Sequence, residues 1–353
     1  MILDRYIGRN LIANIALALF VLVTIFAFFT LVDQLGDTGR GQYGVVQVLQ
    51  YVALILPRLM IELLPIACVV GSMTTLGMLT NSSELAVIRT SGVSKKKLAL
   101  SIIKTGVLII IISFIISEFI SPKTERSAQK LKSIAQTDEI STKTKHGLWS
   151  RDGRSFINIK TVLLDGKIED VTIFEFDEDN ILKSRIQARE AAYDDGKWLL
   201  EGLVQTKISR EKITEHRFKK AEWQALLSPE VINMVTVRPQ LLSLYGLVQY
   251  IDYLRANDQS TVLYEQAFWS KLMSPFLIIA MLLLALCLVK PEGRSVSIGQ
   301  RVFIGAMLGI LFHLLNQVSG HIGVVYGLPA IICVSLPTTL ILIYIYYAIA
   351  KQP

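Results

Sequence analysis

The sequence predicts a membrane α-helical fold of about six transmembrane helices, with a β-jellyroll or sandwich domain inserted after the third. Two observations predict it. Hydrophobic residues make up 52% of the 353 and the mean hydropathy is +0.48, well above an ordinary soluble domain. They collect in runs near or above the roughly 20 residues that a helix needs to cross about 30 Å of hydrocarbon. Between the third and fourth runs lies a long polar stretch of short alternating segments, the period of half-buried strands.

The helices fall at roughly 11–32, 51–79, 99–121, 268–290, 301–320 and 327–350. The first run starts near Leu11, after Arg5 and Arg9, and continues to about Val32 without a small-residue cleavage site. It reads as a retained helix, not a signal peptide. An even count places both termini on one side. Arg5 and Arg9, then Arg89 and Lys95 to Lys97, then Lys290, Arg294 and Arg301, and finally Lys351 flank the short segments of that side. By the positive-inside rule it is cytoplasmic. The segment at about 33–50 sets Asp33 and Asp37 against Arg40, and the turn at 321–326 has no Lys or Arg. Those segments and the polar domain then face outward.

The second run, about 29 residues long, exceeds what a perpendicular helix requires at 1.5 Å per residue, so part of it tilts or lies at the interface. Its outer portion carries Pro57, Arg58, Glu62 and Pro65. Arg58 and Glu62 are spaced to pair across one turn near the headgroups, a reading favoured over substrate contact.

From about Lys123 to Glu265, alternating segments run Ser155 to Leu164, Ile168 to Phe176, Ile181 to Arg189, Lys197 to Gln205 and Lys212 to Phe218. Turn signals separate them, including Arg151-Asp152-Gly153, Asp165-Gly166 and Asp194-Asp195-Gly196. The spacing suggests an antiparallel sandwich or jelly roll. Ser121 to Gln136 reads as a charged helical lead out of the third span, and Gln240 to Glu265 as a helical return to the membrane. The resulting division is 1–121, 122–265 and 266–353.

A net charge of +7 comes without an aromatic-interleaved basic stripe, so nucleic acid is set aside. Cys68, Cys287 and Cys333 all lie within apolar runs, which leaves no disulfide framework and no Cys/His zinc pattern. Gly92-Val93-Ser94-Lys95 lacks the two-glycine spacing that wraps phosphates. No histidine pair forms a zinc helix motif and no serine sits in a nucleophile elbow. The chain is therefore expected to catalyse nothing alone and to hold no metal or other cofactor.

The most informative short segment is Asn81 to Gly92. Asn81 is placed to cap a helix, Glu84 to reach back in capping-box fashion, and Gly92 to supply a left-handed exit. The product is a helix of about two turns, too short to be stable alone. A connector and a docking element are equally compatible with these features. Glu84 is suited to accept a bidentate arginine from a partner. On the fifth span, His313, Asn316, Gln317 and His321 fall on or near one face. Polar groups are costly against lipid, so that face is expected to meet another helix or a cavity.

Leu3 to Gly8, Val32-Asp33-Gln34-Leu35 and Ser83 to Gly92, with Gly147-Leu148-Trp149, Trp269-Ser270-Lys271, Pro275, Gln317 and Val325 to Pro329, resemble the YjgP/YjgQ permease family in order over nearly the whole chain. The resemblance implies a permease subunit of an ATP-driven exporter that extracts lipopolysaccharide from the inner membrane and passes it along a periplasmic β-jellyroll bridge. It implies an LptF/LptG heterodimer, so that LptF or its counterpart is a partner, seated on two copies of the ATPase LptB with the single-span LptC beside it. The helix from Ser83 to Ser91 then couples to the ATPase through Glu84, Leu85, Ile88 and Arg89. The first and fifth helices form lateral gates, which brings in Thr30, Asp37, Arg40, His313, Asn316 and Gln317 as substrate or gate candidates. One departure stands out: related chains often carry basic residues at the outer end of the first helix, whereas here Thr30, Gly36 and Asp37 occupy it and Arg40 is the nearest cation.

The alternating residues Phe156, Ile157, Ile159, Val171, Ile173 and Phe174 line either an acyl-chain slot or an ordinary sandwich core, and register decides between them. Two rivals to the exporter are considered. An ion-driven carrier calls for inward-facing acids near the midplane, and only Glu62 and Glu118, both towards outer ends, lie in the apolar runs. A receptor or scaffold with a ligand-binding outer β domain differs in what copurifies with Ser83 to Ser91.

Overall fold

The computed structural model describes residues 2–39, 41–137, 141–163, 167–179, 181–194, 197–209, 212–223, 239–289 and 297–350. It divides into two compact units, one comprising Met1–Gly36, Val52–Glu125 and Val262–Pro353, the other Asp37–Tyr51 and Arg126–Thr261.

The first unit is helical. Its elements are α1 (Ile2–Leu35), α2 (Val45–Asn81, entering from the second unit), α3 (Glu84–Thr90) and α4 (Lys95–Ile115). A π turn, Ile116–Ile120, leads into α5 (Ser121–Thr137), which continues into the second unit. Among the described residues, six helices are long and apolar enough to span a membrane. They outrun the apolar windows at most ends, because hydropathy marks the hydrocarbon while the backbone hydrogen-bond ladder continues past it. Pro122, just after the π turn, has no N–H for the preceding turn, a common cause of such a wide turn.

Close approach sets the helix packing. A Cβ on Gly71 of α2 would lie 2.6 Å from the Ile15 Cα of α1, so the two backbones meet where only glycine fits. Asn14 Nδ2 donates to Thr75 Oγ1 at 2.9 Å one turn along. The core runs through Ile7, Leu11, Ile15, Leu76, Leu85, Ile102 and Leu282. Arg58 Nε lies 3.7 Å from Glu62, the expected pair, and Arg58 Nη1 lies 3.6 Å from Glu125 of α5, a third member that spacing did not reveal.

The second unit carries one antiparallel sheet, β1 (Ser141–Asp152), β2 (Ser155–Leu163), β3 (Ile168–Phe176), β4 (Leu182–Asp194), β5 (Lys197–Ile208) and β6 (Ile213–Trp223). The described strands follow sequence order, a meander with hairpin connections, which forms the antiparallel β domain expected between the third and fourth spans. β1 is absent from the sequence-based strands because Thr142, Lys143, Thr144 and Lys145 present no apolar alternation. Lys197 donates to Glu222 at 2.8 Å across β5 and β6, and this bond and charge hold the Glu222 carboxyl below its usual range.

Register separates the alternating residues. Ile157 faces Ile173 and Ile159 faces Val171, all four 0% exposed, so the aliphatic face is core. Phe156 pairs with Phe174 on the opposite face. There Trp149 stacks on Phe174 at 5.8 Å, Arg151 lies over Phe156 and Arg185 over Phe174.

A short 3₁₀ turn, Pro239–Leu241, precedes α6 (Leu244–Ala256), capped by Ser243, whose hydroxyl accepts from Gly246 N–H. Tyr253 of α6 shares a 2.5 Å hydrogen bond with Ser150, and Gly153 N–H donates to Asn257 Oδ1 at 2.9 Å. The first unit resumes with α7 (Val262–Leu288), α8 (Ile298–Tyr326) and α9 (Ala330–Ala350).

Candidate functional site

The short helix expected after Asn81 is α3, closed as predicted by Gly92 at φ +83°, with Gly92 N–H donating to the Arg89 carbonyl at 3.0 Å. Its start differs from the expected capping box. Ser83 takes a left-handed backbone at φ 60° and makes no side-chain cap bond. Glu84 does not reach back to the backbone: its carboxylate accepts from Tyr6 Oη of α1 at 2.8 Å and from Ser82 Oγ at 2.9 Å. The tertiary acceptor role wins because a carboxylate gains more from two hydroxyl donors than from one fraying first turn. Asn81, predicted as a cap, instead accepts from Arg301 Nη2 at 3.2 Å.

The coupling candidates part in space. Leu85 is 1% exposed and anchors α3 in the helical core, and Ile88 and Arg89 are half-buried. The outward ridge is Ala86, Val87 and Thr90, with Val87 61% exposed. Sequence reasoning missed Val87. An apolar side chain at i+3 from Glu84 on so short a helix was the available signal.

On α8 the buried positions are Arg301, Gly305, Gly309, Phe312, Gly320 and Gly323, with half-buried Asn316 on the same stripe. Gly309 brings the stripe against Ile66 of α2, and Gly320 abuts Gln266 of α7. Asn316 Oδ1 is buried there without a hydrogen-bond partner among the described residues. The single polar face is thus split: His313 is half-buried, while Gln317 and His321 are exposed. Ser297 and Gln300 form the capping box that starts α8.

At the other end of α1, Thr30 donates back to the Phe26 carbonyl at 2.9 Å. Asp37, in the second unit, is held by Lys132 at 2.9 Å. The same ammonium lies 5.9 Å from the Tyr43 ring centroid and 5.6 Å from that of Tyr51, and burial pushes the Tyr43 hydroxyl above its usual range. Arg40 lies outside the described residues. Lys130 lines a cavity of about 530 Å³ with Gln42, Gln47 and Ser127, a cation that its position in the sequence does not point to. Among the described residues, no group of His, Cys, Asp and Glu is arranged to hold a metal ion.

The least buried of the six spans are α1 and α8. They expose Leu17, Phe20, Phe28 and Phe29 on one and Phe303, Met307 and Leu311 on the other, an apolar surface suited to hydrocarbon or a second protein. The model of the lipopolysaccharide export system permease LptF/LptG family matches residues 5–351. This chain is a member of that family. The permease is 31% identical to the lipopolysaccharide export system permease protein LptG of Haemophilus influenzae over 352 residues, 99% of this chain and 98% of that protein. It is 32% identical to the LptG of Escherichia coli K12 over 340 residues, 96% and 94% of the two chains.

Proposed function

We propose that this permease is the LptG-type membrane subunit of an ATP-driven exporter that extracts lipopolysaccharide from the inner membrane and passes it to a periplasmic bridge. The observation that carries the reading is the match to the lipopolysaccharide export permease family over residues 5–351. The chain sits in the inner membrane with both termini cytoplasmic and the sheet-bearing unit periplasmic, the arrangement that places Arg5, Arg9, Arg89 and Lys95 to Lys97 inside. An LptF paralogue completes the cavity, LptC joins it, and two LptB subunits bind and hydrolyse ATP. The permease itself is non-catalytic and holds no cofactor.

Work is transmitted by differential affinity: ATP must favour the state in which the cavity is collapsed. The exposed ridge of α3 is the surface offered to the ATPase, and α1 and α8 face the paralogue and substrate. Arg40, Thr30, Asp37, His313, Asn316 and Gln317 are the candidates for substrate contact or gating in this reading. Asp37, already paired with Lys132, repels phosphate less than a bare carboxylate.

The test is ATP-dependent release of lipopolysaccharide from proteoliposomes holding this chain, its paralogue, the ATPase and LptC. Release that requires all four proteins is the expected result. An assembled, ATP-hydrolysing complex that releases none overturns the reading.

A further inference from the structure

The stretch from Asn81, the last residue of α2, to Glu84, the first of α3, receives a hydrogen bond from each of the two least buried spans. From α1, Tyr6 Oη donates to Glu84 at 2.8 Å, over a sequence separation of 78 residues. From α8, Arg301 Nη2 donates to Asn81 Oδ1 at 3.2 Å, over a separation of 220. Arg301 is 6% exposed, and its Nη1 has no hydrogen-bond partner among the described residues. Space for it is cut out of α2: a Cβ on Gly77 would lie 2.5 Å from the Arg301 Cδ. A buried guanidinium is retained only where its contacts repay desolvation, and its hydrogen-bond acceptor here is Asn81, the side chain that ends α2.

We propose that Tyr6 and Arg301 are positioning residues that tie the 81–84 segment to α1 and α8 at once, so that displacement of α3 moves both helices together. The proposal rests on the exporter reading and deepens it, by naming the side chains through which α3 acts. Both tethers end within four residues of sequence, immediately before the exposed ridge of α3. Ser83, held at φ 60° between them, leaves the segment a bent link and not a continuation of α2. A helix of seven residues has little stability of its own, so a load on it reaches the membrane spans through its side-chain attachments and the buried Leu85.

The tether makes a demand on Glu84 separate from partner docking. Tyr6→Phe removes the hydroxyl that donates to Glu84 Oε2 and leaves that oxygen open to an arginine of the ATPase, while Ser82 still donates to Oε1. Asn81→Ala removes the acceptor of Arg301, whereas Asn81→Asp keeps an acceptor oxygen and adds charge attraction.

The experiment uses the complete four-protein complex in proteoliposomes and reads lipopolysaccharide released per ATP hydrolysed, together with copurification of the ATPase. Tyr6→Phe and Asn81→Ala are each expected to lower the ratio at least about five-fold, with hydrolysis and ATPase binding retained, and Asn81→Asp to keep the native ratio. Should Asn81→Ala not assemble, Arg301→Lys takes its place, since a lysine keeps the charge and loses the fork. Native ratios in Tyr6→Phe and Asn81→Ala overturn the tether. So does an Asn81→Asp as defective as Asn81→Ala, or a Tyr6→Phe that loses the ATPase, which reduces Tyr6 to shaping a docking surface. A native complex that hydrolyses ATP and releases nothing is a different failure: it overturns the exporter reading, and the tether with it.

Discussion

Arg58 of α2 places its Nη1 3.6 Å from the Oε1 of Glu125, a carboxylate only 1% exposed, and so links α2 to the helix that follows the π turn. Burying a carboxylate costs several kcal/mol unless a cation and hydrogen bonds compensate it. Arg58→Ala is therefore expected to destabilise the protein by about 1–3 kcal/mol, below the usual figure for a broken buried pair because Arg58 is about a third exposed. Replacing Arg58 and Glu125 together by leucine should recover most of that loss. Thermal unfolding in detergent of the single and double variants checks it, and a double variant no better than Arg58→Ala contradicts it.

The approach of α1 to α2 at Gly71 gives a second expectation. A methyl group there would sit 2.6 Å from both the Ile15 Cα and its Cγ1, and backbone atoms cannot swing aside as a flexible side chain does. Gly71→Ala should cost about 1–3 kcal/mol and widen the α1 to α2 spacing. Spin labels on the two helices, read by dipolar distances, measure that widening. Gly305→Ala on α8 meets the Met73 Sδ and the Val70 Cα, each at 3.2 Å, and should cost less, because one of its two obstacles can yield.

The helices were legible because a span of hydrocarbon imposes one constraint, about 20 apolar residues, that a linear window reads directly. What escaped depends on residues far apart in the chain. Glu84 three positions after Asn81 has the spacing of a capping box, and nothing local says that Tyr6, 78 residues earlier, supplies the hydroxyl that takes the carboxylate instead. The Arg58–Glu62 pair follows from i,i+4 spacing, while Glu125 joins it only through folding. On α8 the polar residues share a sector of the helical wheel, yet Asn316 falls on the glycine stripe and Gln317, one position along, is exposed. A step of 100° per residue is enough to turn a neighbour from core to surface.

Register makes a third prediction. Period-2 alternation in β2 and β3 told that two faces exist, not which one is core. Since Ile157 is 0% exposed and Phe156 is 39% exposed, Ile157→Asn should destabilise the second unit by about 2–4 kcal/mol, through lost burial and an unsatisfied amide. Phe156→Asn should cost about 1 kcal/mol or less, from the lost contacts to Phe176 and Arg151. Limited proteolysis of the intact chain, followed by the rate at which fragments of the sheet appear, ranks the two. The reverse order would mean that the aromatic face is the packed one.

The last prediction separates the two sides of α3. Leu85 is buried among the membrane helices and Val87 stands out from the same helix, 1% against 61% exposed. If the ridge of α3 docks on an ATPase, Val87→Asp places a charge in the centre of that contact and should weaken binding by about 2 kcal/mol or more, roughly thirty-fold, with the unfolding midpoint of the isolated permease unchanged. Leu85→Ala should do the opposite, lowering stability by about 2–4 kcal/mol through the cavity it leaves while binding per folded molecule persists. Copurification of the ATPase with each variant, set beside its unfolding midpoint, gives both readouts from one preparation. Equal loss of binding in the two would show that α3 needs its anchor and its ridge alike, and that the docking surface reaches beyond the exposed side. Full retention of the ATPase by Val87→Asp would move the docking surface off α3 altogether.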